Sequence, residues 1–280
     1  MLGAITGDII GSRFEFNGIK STAFDLLGRG CRFTDDSAMT LAVAEWLLED
    51  SDLTHEVLEQ KMVKYGEMDP NAGYGGKFYD WLFRPDKLWE DGMRRPYNSW
   101  GNGSAMRVSA VGWMFDTLEE TEQVAEISAS ITHNHPEGIK GAQATAAAVF
   151  MARNGASKEA IRGYVSNRFG YDLNRTIEEI RPEYGFEVSC QRSVPEAIIA
   201  FLDSKDYESA VRLAVSLGGD ADTQACIAGG IAEAFYRMPD DLVEDIGYHL
   251  LPAFKDVIIR LAENSAYRRC REQLRRCWRR

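Results

Sequence analysis

Two short stretches, far apart in the chain, carry the side chains best suited to chemistry. Thr34-Asp35-Asp36 opens an apolar segment that runs from Ala38 to Leu48. Asp220-Ala221-Asp222-Thr223 opens a second, small-residue segment that reaches Ile231 and Ala232. Taken singly, each reads as a capped helix, with an oxygen accepting backbone N–H groups and first-turn acids facing the positive end of the helix dipole. Both segments, however, are apolar nearly all the way round and belong in a core. Four carboxylates placed there cannot all stay ionised without partners. Carboxylate and hydroxyl oxygens are the donor set of hard divalent cations such as Mg, Mn or Ca. Thr34, Asp35, Asp36, Asp220, Asp222 and Thr223 are therefore candidate ligands of one ion or a pair, set against the plainer reading of two independent caps.

Other residues carry weaker signals. Glu15, between Phe14 and Phe16, is either a solvent-facing acid or one held in a pocket. His133-Asn134-His135-Pro136 has no third soft ligand nearby in a chain with 4 histidines, so a turn with one functional His is preferred to a zinc site. Gly73-Tyr74-Gly75-Gly76 fits a cleft wall or an ordinary turn. Arg107 and Lys77 are candidates to meet phosphates, with a surface or salt-bridged role as the default reading. Trp81, Phe83, Trp89 and Trp113 read as packing rather than stacking platforms.

The elements that must position these residues are helices. Residues 3–16 read as a helix with Gly3, Gly7 and Gly11 on one face, the spacing of a close helix crossing. Residues 17–33 form a loop leading to Thr34. Helical periodicity returns over 54–66, and a short helix ends near Phe83. The irregular stretch 84–103 has the length at which loops inside domains tend to bind ligands. Further helices are predicted over 104–115, 119–131, 137–152, 157–168, 193–203, 206–217, 221–237 and 253–275, with Phe186-Glu187-Val188 a brief strand candidate. The expectation is one all-α domain over 1–266 followed by a basic tail, 267–280, with seven arginines in fourteen residues. That tail reads as a solvated terminal helix; contact with a nucleic acid or acidic partner is the weaker alternative.

Composition sets the outer limits. At 280 residues, 45% hydrophobic and 27% charged, the chain is ordinary for a globular protein. A net charge of -11 argues against general nucleic-acid binding. Five cysteines without close pairing suit a reducing compartment. The opening residues show no signal-peptide pattern and no apolar run reaches membrane-spanning length, so the expected location is the cytoplasm.

Five motifs in order carry a resemblance. Gly3-Ala4-Ile5-Thr6-Gly7-Asp8-Ile9-Ile10-Gly11 with Glu15, then Phe33-Thr34-Asp35-Asp36-Ser37, Gly101-Asn102-Gly103-Ser104-Ala105-Met106-Arg107, Thr132-His133 and Gly218-Gly219-Asp220-Ala221-Asp222-Thr223 resemble the ADP-ribosylglycohydrolase family. That family includes dinitrogenase reductase-activating glycohydrolase and the ADP-ribosylarginine and ADP-ribosylserine hydrolases. Any one motif is weak; five in order, from residue 1 to about 237, are specific. Ser37 and Trp100 stand where the family often has threonine and tyrosine, and the tail matches nothing in the family core.

The resemblance implies an all-α orthogonal bundle with a binuclear Mg or Mn centre at the bottom of a cleft. It casts Thr34, Asp35, Asp36, Asp220, Asp222 and Thr223 as ligands, and Glu15 and Asp36 as catalytic, with Glu15 beside the scissile bond. Ser99, Trp100, Gly101, Asn102 and Gly103 would hold the diphosphate and distal ribose, and His133 would be a further substrate contact. The implied activity is metal-dependent cleavage of the glycosidic bond between ADP-ribose and a modified protein side chain, arginine first. ADP-ribosylserine, O-acetyl-ADP-ribose and nucleic-acid-linked ADP-ribose are the alternative substrates. A catalytically silent ADP-ribose-binding protein is the competing class, disfavoured because the ligand set and Glu15 are all present. No membrane partner is expected, and the oligomeric state is not legible.

Overall fold

Ten consecutive residues from Leu2 to Gly11 are buried, and the glycine face of that first helix explains how. A side-chain carbon at Gly3 would lie 2.5 Å from Glu233 Cβ, and one at Gly7 or Gly11 would fall inside the backbone of Ala225 or Ala221. The first helix therefore lies antiparallel against 221–236, backbone nearly on backbone, as the spacing predicts.

The computed structural model describes residues 1–278 and is an all-α orthogonal bundle. Its α-helices are α1 (Leu2–Gly11), α2 (Asp35–Glu49), α3 (His55–Met68), α4 (Gly76–Phe83), α5 (Gly103–Met106), α6 (Val111–Met114), α7 (Leu118–Ser130), α8 (Pro136–Arg153), α9 (Lys158–Phe169), α10 (Ile177–Ile180), α11 (Cys190–Asp203), α12 (Tyr207–Val215), α13 (Ala221–Tyr236), α14 (Asp240–Ile246), α15 (Pro252–Asn264) and α16 (Arg271–Trp278). Around the α1–α13 pair pack α2, α8, α11 and α12. Trp81 and Trp113 are buried in the core, as expected for packing aromatics. Among the described residues no helix is long and apolar enough to cross a membrane.

Several elements differ from expectation. The first helix stops at Gly11 rather than residue 16, leaving Glu15 on the turn that follows. The helix predicted over 104–115 is split in two. Thr40 Oγ1 and Cys226 Sγ both donate to the Met106 carbonyl at 3.3 Å, taking the acceptor that a continuing helix would use. Phe186-Glu187-Val188 forms no strand; instead Asn102 N donates to Val188 O at 2.8 Å and Cys190 N to Trp100 O at 2.9 Å, a single bridge that pins the 99–103 loop. Sequence periodicity missed α10 and α14, both short.

The helix predicted over 253–275 breaks at Ser265, whose extended backbone and side-chain cap on Tyr267 N start a 3₁₀ turn at Ala266–Cys270. The segment after it, expected to be solvated, is packed. Tyr267 is fully buried, its hydroxyl donating to Glu233 Oε1 at 2.5 Å and accepting from Leu2 N at 3.1 Å. Cys270, Leu274 and Cys277 are buried below it. Tyr267, Cys270, Leu274 and Cys277 make an apolar stripe at helical spacing, which the arginine content hides. Arg269 stacks over Trp113 at 4.7 Å and Arg275 pairs with Glu263 at 3.0 Å, so these arginines are engaged within the chain. Arg279 and Arg280 of the predicted tail lie outside the described residues.

Candidate active site

Asp8, a buried acid in the middle of apolar α1, organises the start of α2. Its carboxylate accepts from Thr34 N and Ser37 N, each at 3.0 Å, from Thr34 Oγ1 at 2.6 Å, and from Ser37 Oγ. The α1–α13 crossing then sets this group opposite the start of α13. Thr223 Oγ1 donates to Asp36 Oδ2 at 3.3 Å, and Asn102 Nδ2 donates to Asp220 Oδ2 at 2.7 Å. Asp8, Asp36 and Asp222 bring carboxylate oxygens within 4.8 Å of one another, and so do Glu15, Asp220 and Asp222. Asp222 belongs to both groups.

Burial raises the pKa of every one of these acids, and repulsion between carboxylates adds to it at all but Asp8. Asp36, Asp35 and Asp222 are pushed well above the usual carboxylate range by burial first, then by neighbouring carboxylates. Asp220 rises to about 6, burial being offset by hydrogen bonds from Asp222 and Asn102. Glu15, half-buried, rises to about 8 through burial and then the Asp222 charge. Asp8 is raised by burial despite its four donors. Asp36 Oδ1 is buried without any hydrogen-bond partner. An orphaned carboxylate oxygen among like charges, in two groups that among the described residues are made of carboxylates alone, with the Thr34 and Thr223 hydroxyls beside them, fits hard divalent cations.

All of these acids except Asp8, which lies behind them, line a cavity of about 510 Å³. Of the residues singled out in the sequence, Glu15, Asp35, Asp36, Asp220, Asp222, Thr223, Ser99, Gly101, Asn102, Gly103 and His133 line it. Thr34 does not: it is buried behind Asp36 as the N-cap of α2. Nor does Trp100, which is 47% exposed and whose carbonyl accepts from Cys190 N. Gly73-Tyr74-Gly75-Gly76 forms one wall and Lys77 stands at the rim. Phe16 and Phe186, exposed and stacked at 6.0 Å, form another part of that rim.

Arg107 overturns its expected surface role. It is 1% exposed and donates to backbone carbonyls and to Thr132. The sequence reading also missed Asp8 as a site residue. Its signal was present, a lone acid in a helix otherwise built of apolar residues, threonine and glycine.

A sequence model of the ADP-ribosylglycohydrolase family matches residues 1–275. The chain belongs to the ADP-ribosylglycohydrolase family. It is thus an enzyme of the glycohydrolase class acting on ADP-ribosyl linkages. Relatives within this range include the ADP-ribosylhydrolase ARH3 of Mus musculus, 27% identical over 85% of this chain and 83% of its own length. The ADP-ribosylarginine hydrolase Tri1 of Pseudomonas putida (strain GB-1) is 26% identical over 89% of this chain and 73% of its own. A solved structure described as an ADP-ribosylglycohydrolase-related protein complex superposes with a TM-score of 0.70 at 24% identity, covering 94% of both chains, which supports the fold assignment. The family match runs through Tyr267 and Cys270, in keeping with the packing of that segment.

Proposed function

We propose that the chain is a cation-dependent hydrolase that cleaves the glycosidic bond between ADP-ribose and a modified protein side chain, arginine being the first target. The observation that carries this reading is that Asp222, in a cleft walled by a glycine loop, is common to two carboxylate triads, one fully buried and one containing half-buried Glu15. Asp36, Asp222, Asp220, Asp35, Thr223 and Thr34 would hold two cations, Mg or Mn. Bound there, such ions would neutralise the acids and supply Lewis acidity toward sugar hydroxyls and water.

The residues themselves supply the rest. Gly101 and Gly103 let the backbone approach a diphosphate closely, and the bridge to Val188–Cys190 holds that loop in place. Glu15, near the expected anomeric carbon and ionised once cations would neutralise the Asp222 charge beside it, takes a proton from the attacking water and returns it to the leaving nitrogen, so the guanidine departs as guanidinium with no net proton change. Phe16 and Phe186 offer flat faces on which a guanidinium stacks, which favours arginine over serine. The five cysteines are all unpaired, which supports a reducing compartment.

The test is release of ADP-ribose from arginine-, serine-, acetyl- and nucleic-acid-linked substrates with Mg, Mn or chelator. Release from the arginine conjugate that chelation abolishes is the expected result. Binding of free ADP-ribose without release from any conjugate would establish the silent binder instead.

A further inference from the structure

We propose that Arg107 and Thr132 are positioning residues that lock His133 in the tautomer with its proton on Nε2, so that the ring donates a hydrogen bond into the cleft. The ligand atom it serves is an anionic oxygen of the diphosphate, and that part of the inference rests on the cleft being an ADP-ribose site.

The direction of the relay follows from what each group can do. A guanidinium only donates. Arg107 Nη2 lies 2.7 Å from Ser128 O and 3.0 Å from Thr132 Oγ1, so the threonine oxygen must accept. Thr132 is fully buried, and the other partner of its hydroxyl is His133 Nδ1 at 2.7 Å. The hydroxyl proton therefore points at Nδ1, which accepts, and a neutral imidazole that accepts on Nδ1 carries its hydrogen on Nε2. The opposite tautomer would aim two donors at one oxygen and strand the hydroxyl proton in a dry site.

Nε2 faces the glycine loop. A side-chain carbon at Gly103 would lie 3.2 Å from it and one at Gly101 3.6 Å. Among the described residues Nε2 has no protein acceptor, while His133 lines the cleft. Burial and the Arg107 charge both hold the ring neutral. Arg107 remains cationic, because burial lowers its pKa only to about 10. The glycines thus keep open a gap into which one fixed N–H points, and an arginine that among the described residues has no carboxylate partner decides its polarity.

Ring-nitrogen NMR of ¹⁵N-labelled protein, with His133 assigned by its loss in His133→Gln, tests the lock without any ligand. The expected spectrum has a bare Nδ1 and a protonated Nε2. Thr132→Val should bring up the Nδ1–H form and Thr132→Ser should restore the original. A protonated Nδ1 in the parent protein, or a tautomer unchanged in Thr132→Val, overturns the proposal. Calorimetry with free ADP-ribose then tests the donor role. Thr132→Val should weaken binding by about tenfold, the scale of one lost hydrogen bond, with Thr132→Ser near the parent. Unchanged affinity despite a switched tautomer overturns the donor role. If ADP-ribose binds none of the proteins, the reading of the cleft fails while the spectral result still decides the lock.

Discussion

Thr223 Oγ1 donates a hydrogen bond to Asp36 Oδ2 at 3.3 Å across 187 positions of sequence. That contact joins the two acidic helix starts into one cluster. It turns two ordinary-looking helix caps into a single buried charge problem.

Asp222 is the residue shared by both triads. Asp222→Asn should abolish the rise in melting temperature that Mg or Mn gives the parent protein, a stabilisation of about 2.7 kcal/mol at a cation concentration 100 times Kd. The metal-free variant should melt no lower than the parent, because one of several mutually repelling acids is gone. Turnover should fall by about 10³-fold, the scale of several kcal/mol lost at a cation site. Melting curves with and without cation decide this; an undiminished cation response in the variant removes Asp222 from the site.

Glu15 stands at the edge of the second triad and is only half-buried. Glu15→Gln should lower turnover by about 10²- to 10⁴-fold, as for a lost proton-transfer group, with cation binding nearly intact. Kinetics alongside cation titration separate the two roles, and unchanged turnover would take Glu15 out of the chemistry.

The clustered acids also set a pH dependence for the cation-free protein. Their folded-state pKa values are raised, with Asp220 at about 6 and Glu15 at about 8. Unfolded, they titrate at about 4. Groups raised on folding contribute stability that is fully present below the unfolded value and disappears as pH climbs through the folded one. Stability of the chelated protein should therefore decline between about pH 4 and pH 8, and saturating Mg should flatten the curve. A chelated melting temperature that rises across that window would contradict the clustering.

Gly7 sits where the α1 backbone meets Ala225. Gly7→Ala should cost about 1–3 kcal/mol or more by forcing the two helices apart. It should also weaken cation binding, because the same crossing sets Asp8 against Asp222. Urea unfolding checks the first effect and cation titration the second. Gly163, with no atom near its missing side chain, is the control at which alanine should be harmless.

Tyr267→Phe removes the hydroxyl that accepts from Leu2 N and donates to Glu233. The expected loss is about 1–3 kcal/mol from unpaired buried groups, with KM unchanged because the cleft lies elsewhere. A denaturation midpoint equal to the parent's would return this segment to the status of a loose tail.

The acidic helix starts were legible because capping chemistry and apolar flanks are local properties, carried by residues within a few positions of Thr34 and Asp222. The all-α class was legible for the same reason, through the 3.6-residue period of apolar side chains. Glycines at 3, 7 and 11 announced a close crossing, but not its partner. That Gly7 meets Ala225, that Asp8 therefore faces Asp222, and that Asn102 reaches Asp220 are contacts across more than a hundred positions, which no local pattern encodes. Arg107 was misread because a lone arginine looks solvated until carbonyls from the end of α7 are seen to surround it. The tail was misread because its charge outweighed its apolar stripe. Local composition determined which chemistry was available; the close packing of α1 on α13 decided which residues share it.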